Sequence, residues 1–203
     1  MKILVLFCFV SMLFIYIKID TKYFEKLIIE FVDETQIYQS TDSLTIYFTR
    51  ASDDSCNIWD KKYFCIFPSS FVEYKEIFGY KRPLNREYYK HLKLLVKIHD
   101  CINSSTYIEK LINLGIDGEW EADAIGDMQN LIKQRFNDNN KLFFQLLSKR
   151  NEDDIYSFFK FIFDGPIIEN FESRWLNHKN EFPNVCDVMV KAHNDLKIRK
   201  NRH

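Results

Sequence analysis

Five carboxylates, Asp117, Glu119, Glu121, Asp123 and Asp127, fall within eleven residues. Alternating carboxylates of this kind open a calcium loop. That loop needs glycine at its sixth place and a bidentate glutamate at its twelfth, where this chain has Ala122 and Met128. Wound as a helix, Glu119, Asp123 and Asp127 would share one face at four-residue steps. There they could hold a metal or act as acid and base. The competing reading is a solvated helix start, favoured by the helix dipole.

Histidines are the second source of chemistry. His91 and His99 are spaced two turns apart on one predicted helix, and His178 and His193 fall on later ones. No H-E-x-x-H pair occurs. His99 and Asp100 stand beside Cys101, which suggests a Cys/His nucleophile, but adjacent helical residues point in different directions. Nucleophile elbows, dinucleotide loops and phosphate loops are missing. The candidate catalytic residues are therefore Asp117, Glu119, Asp123 and His99, with no metal-ligand set and no cofactor predicted. A net charge of −1 gives no long-range field for nucleic acid.

Location is written at the N-terminus. Ile3 to Ile17 carries no charge and is flanked by Lys2 and Lys18. A cleaved signal would need small residues before the cut, yet Phe14, Ile15, Tyr16, Ile17 and Ile19 are bulky. An uncleaved anchor needs about 17 residues or more, which the run reaches if the two lysines snorkel to the interfaces. A buried first helix is the third reading, weakened because the run is apolar all round and not striped. The expectation is a chain at the cell membrane, single-pass or N-terminally tethered, and otherwise secreted or periplasmic.

Cys8 lies in that run, and Cys56, Cys65, Cys101 and Cys186 follow. In an exported protein a Cys56–Cys65 bridge would close a short loop, with four reduced thiols as the alternative. No C-x-x-C pair is present to favour structural zinc.

The elements that must position these residues are mostly helical. Phe and Tyr are abundant, at 19 and 11, whereas Gly and Pro number only 5 and 4, a balance that favours long helices. Lys26–Val32 and Ser43–Thr49 are β-branched and aromatic and read as a hairpin across Ser40–Asp42. Tyr63–Phe67 reads as a short strand. From residue 69 onward apolar residues recur at helical spacing. Ser70–Glu73 and Thr106–Glu109 are written as capping boxes, and Asn85 and Asn151 as caps. Trp120 to Phe136 forms the clearest stripe. The predicted fold is mainly α, an antiparallel array or bundle of about eight helices. A small β element and an apolar N-terminal helix precede it. The predicted organisation is an anchor or signal over residues 1–22, a β-rich or irregular part over 23–68 and a helical domain over 69–203. The basic tail from Lys197 reads as solvated, or as a lipid-headgroup contact.

Three segments resemble those of a family of small bacterial helical proteins to which no activity is assigned. They are Cys65 to Tyr80, Trp120 to Ala124 and Phe158 to Pro166. The resemblance implies a shared helical domain and transfers no functional residue. The expected function is that of an envelope-associated binding protein whose partner is another protein, and an immunity-type role fits. The alternative is a hydrolase or metal-dependent enzyme using the 117–127 carboxylates.

Overall fold

The computed structural model describes residues 41–51, 56–166, 168 and 173–200. The apolar run Ile3–Ile17 and the first expected strand, Lys26–Val32, lie outside the described residues. Within them the protein is mainly helical, with nine α-helices and no strand. These are α1 (Thr41–Arg50), α2 (Ile58–Ile66), α3 (Phe71–Phe78), α4 (Tyr88–Lys97), α5 (Ser104–Gly115), α6 (Ala124–Asp138), α7 (Asn140–Leu147), α8 (Glu152–Phe163) and α9 (Pro183–Lys200). Short 3-10 turns cover Asn85–Glu87, Ile98–Cys101 and Ser173–His178. None of these helices is long and apolar enough to cross a membrane.

Two expected strands are helices. Ser43–Thr49 lies within α1, because Leu44, Tyr47, Phe48 and Ala51 face inward at steps of three and four. Burial of that face against α2 outweighs the β preference of its Thr, Ile and aromatic residues. Tyr63–Phe67 is the last turn and the cap of α2. That helix starts at a reciprocal cap. Asn57 Oδ1 accepts from the Trp59 and Asp60 amides at 2.7 and 3.2 Å, and Asp60 Oδ2 accepts from the Asn57 amide at 2.8 Å.

Several caps sit elsewhere than the sequence signals suggest. Ser70 accepts from the Glu73 amide, but the Glu73 carboxylate turns to Ser69, taking its amide and hydroxyl at 2.8 Å each. Asn103 caps α5, ahead of the expected Thr106. Asn85 occupies a 3-10 turn and ties Phe78 O at 2.8 Å. Asn151 caps α8 as expected, accepting from the Asp154 amide at 2.8 Å.

Helices α8 and α9 make the most extensive pair, and they run parallel. Glu152 meets Lys191, Tyr156 meets Asp195, and Asp164 meets Arg199, so both members of the pairs advance together along the chain. The connection from Asp164 to Phe182, with its 3-10 turn, is long enough to bring the chain back. Aromatic rings run through the core among leucines, isoleucines and valines. Phe136 touches Phe143, Phe144, Phe158, Phe159 and Trp175, with centroids 4.8–6.4 Å apart, the range of favourable edge and offset contacts.

Candidate functional site: the acidic turn before α6

The acidic stretch is a turn over most of its length. α6 begins only at Ala124, so Glu119 and Asp123 lie outside it and Asp127 alone stands on the helix. The expected face of Glu119, Asp123 and Asp127 at four-residue steps therefore does not form. Asp117 and Asp123 both have φ near +60°, at 58° and 60°, a region that Asp enters more readily than most residues. Gly118 lies between them with Phe161 so close that a Cβ would stand 2.4 Å from the ring. That contact holds the turn against α8 and keeps it from winding into the helix.

Each carboxylate has its own neighbours. The Asp117 amide donates to Ser157 Oγ at 2.7 Å, and that hydroxyl lies 3.4 Å from Asp117 Oδ1. Glu121 pairs with Lys75 of α3. Asp127 Oδ2 accepts from the Tyr88 hydroxyl at 2.9 Å. Burial, that hydrogen bond and the charges of Asp127 and Asp123 raise the Tyr88 phenol above its ordinary value of 10. Glu119 is exposed.

His99 stands apart, in the 3-10 turn after α4, with Nε2 3.1 Å from Asp100 Oδ1 and its ring edge-on to Tyr107. It is not on the face of His91, because α4 ends at Lys97. Cys101 is no free nucleophile. It is bonded to Cys56, across 45 residues of sequence, while Cys65 is free and exposed and Cys186 free and buried. The expected Cys56–Cys65 bridge is thus replaced by a longer-range one. Residue 65 lies at the far end of α2 from the cap that Cys56 precedes, about 12 Å along the axis at 1.5 Å per residue. Among the described residues no three His, Cys, Asp or Glu side chains gather as a metal site would need.

Two polar groups take buried places that the sequence reading did not assign to them. His91 is buried, with Nδ1 3.0 Å from the Tyr63 hydroxyl and its ring against Phe48 and Phe78 at 4.4 and 5.1 Å. Burial lowers its pKa to about 4. Lys110 donates to Phe67 O at 2.7 Å and lies over the Phe64 ring. Burial lowers its pKa to about 8, against the opposing pull of Cys65 and Glu73. The signal for His91 was its place among Leu92, Leu94 and Leu95. Lys110 carried no signal, since its partner is a carbonyl 43 residues away.

The chain matches no protein-family model, no curated protein and no solved structure.

Proposed function

We propose that this chain is a binding protein of the cell envelope, held at the membrane by Ile3–Ile17, with its helical domain on the oxidising side. The observation that carries the reading is the Cys56–Cys101 disulfide. Disulfides persist in exported compartments and are rare where thioredoxin and glutathione keep thiols reduced. The bulky residues that end the apolar run favour retention over cleavage. The acidic turn adds support of a second kind. Asp117, Glu121 and Asp127 are engaged with Ser157, Lys75 and Tyr88, in contacts that join α3, α4, α6 and α8. Such residues hold the fold together. Binding one protein partner, as an immunity-type protein does, asks for a stable surface and no catalytic constellation.

Fractionation with carbonate extraction, combined with alkylation and mass analysis of Cys56 and Cys101, tests the reading. The expected result is full-length protein in the carbonate-resistant membrane fraction, with both cysteines protected until a reductant is added. Soluble protein with both thiols free would overturn it. The competing enzyme reading, centred on Asp117, Glu119 and Asp123, predicts a raised melting temperature on adding calcium or zinc.

A further inference from the structure

The charge of this chain is unevenly placed. Residues 80–97 contain Lys81, Arg82, Arg86, Lys90, Lys93 and Lys97 against the single acid Glu87. That is a local balance of +5 in a chain whose net charge is −1, which leaves −6 for everything else.

Helix α4 sets its cations on one face. On α4 the exposed positions are Tyr89, Lys90, Lys93, Val96 and Lys97, at steps of three and four, while His91, Leu92, Leu94 and Leu95 face the core. Arg86 continues the row one turn earlier, and Lys81 and Arg82 are exposed in the preceding loop. Apolar side chains are interleaved with them. Tyr80 is 73% exposed, Tyr89 46% and Val96 38%. Lys81 lies over the Tyr80 ring at 5.1 Å and Lys93 over Tyr89 at 5.9 Å.

Several cations of the fold reach carboxylates on other elements, as in Lys75–Glu121, Lys141–Glu181, Arg150–Glu109, Lys191–Glu152 and Arg199–Asp164. On α4 Lys90 pairs locally, with Glu87 at 3.6 Å. No carboxylate of the described residues pairs with Lys81, Arg82, Arg86 or Lys93. These four cations keep their charge uncompensated by any carboxylate of the described residues, which suits them to an external anion.

We propose that the α4 face and the loop before it form a docking surface for anionic lipid headgroups. The inference rests on the tethered reading given above. Basic side chains near an anionic bilayer raise surface affinity by about fivefold each. Tyrosines with an apolar body and a polar tip suit the interfacial layer. The tether turns a weak attraction into an effective one, because the domain is held at high local concentration beside the surface. Docking would fix which side of the domain is left open to a protein partner.

The test uses the full chain in vesicles of phosphatidylcholine alone or with about 30% phosphatidylglycerol, the anionic component supplying the surface potential. Surface lysines are acetylated with a water-soluble reagent and read by mass spectrometry. Expected is a fall of about threefold or more at Lys81, Lys90 and Lys93 relative to Lys141 and Lys179 on anionic vesicles, abolished by about 0.5 M salt. The double variant Arg86→Gln, Lys93→Gln should release Lys90 from protection with an unchanged melting temperature. Equal labelling on both vesicle types overturns the proposal. So does protection by polyglutamate or single-stranded DNA with none from anionic vesicles. If the chain is not retained by neutral vesicles, the tether fails on its own account. The stripe must then still carry the chain onto anionic vesicles in flotation, and its failure to do so overturns the docking surface.

Discussion

Two regions of the core share phenylalanine and differ in what accompanies it. Around α2 to α5 the buried Phe64, Phe67, Phe71 and Phe78 are joined by Tyr63, Tyr74, Tyr107 and His91, and each of these tyrosine hydroxyls donates to a carbonyl of another element. Tyr63 reaches His91 O at 3.2 Å, Tyr74 reaches Ala124 O at 3.0 Å and Tyr107 reaches Leu95 O at 3.1 Å. Around α6, α7 and α8 the rings are Phe136, Phe143, Phe144, Phe158 and Phe159, all fully buried and without polar atoms. Directional bonds locate one helix against another, and leaving one unmade underground is costly. Phenylalanines locate helices only by shape and volume. One region should therefore respond to pH and to single-atom changes, and the other to lost volume.

The largest expected effect is in the phenylalanine region. Phe136 contacts five aromatic rings and is fully buried. Phe136→Ala should cost about 3–5 kcal/mol, the usual range for deleting a core phenylalanine. Urea unfolding would measure it. A loss below about 1.5 kcal/mol, on the scale of a volume-conserving swap, would mean that the rings close over the gap and that shape is not what holds this region.

The same contrast explains how much could be read in advance. α8 was legible because its phenylalanines and Ile155 and Ile162 keep a helical period behind an Asn151 cap. α1 was not, although Leu44, Tyr47, Phe48 and Ala51 carry that period too. Its Thr, Ile and Tyr residues weigh toward strand, and ten residues give periodicity little room to win. The acidic residues were found, but their geometry was not. Their turn depends on Phe161 meeting Gly118 from some forty residues away, a contact that no local pattern announces. The disulfide partner of Cys56 was hidden for the same reason, since spacing favours the nearest cysteine and the fold brings Cys101.

The next effect belongs to the tyrosine region and is one of pH. Burial holds the His91 pKa near 4, against an ordinary value of 6.5, with Glu87 opposing and Lys90 reinforcing the shift. Folded His91 thus binds fewer protons than the unfolded chain does between those values. Its contribution to stability is intact above about pH 6.5, declines as pH falls, and is fully lost below about pH 4. The total is about 3 kcal/mol. Unfolding of the wild type and His91→Phe should be compared at pH 7 and pH 4. The variant keeps the residue-91 carbonyl that accepts from Tyr63. It should lose less stability on acidification, by about that amount. Parallel pH profiles would show that His91 opens to solvent before it titrates.

The smallest effect is the sharpest test of directional bonding. Tyr74→Phe removes one oxygen and leaves the ring against Phe67 and Phe78 unchanged, at 6.1 and 4.9 Å. The abandoned acceptor, Ala124 O, is the first carbonyl of α6 and retains its place in the helix ladder. The expected cost is about 1 kcal/mol, the net value of a buried hydrogen bond whose acceptor keeps another partner. The bond does more than add stability, because Ala124 follows Asp123, whose φ is 60°. Tyr74 therefore pins the point at which the acidic turn becomes a helix. Amide exchange in Tyr74→Phe should rise first at residues 124–128, ahead of global unfolding, while exchange in α8 stays as in the wild type. Uniform acceleration across both regions would mean that the hydroxyl stabilises the fold as a whole and does not locate α6.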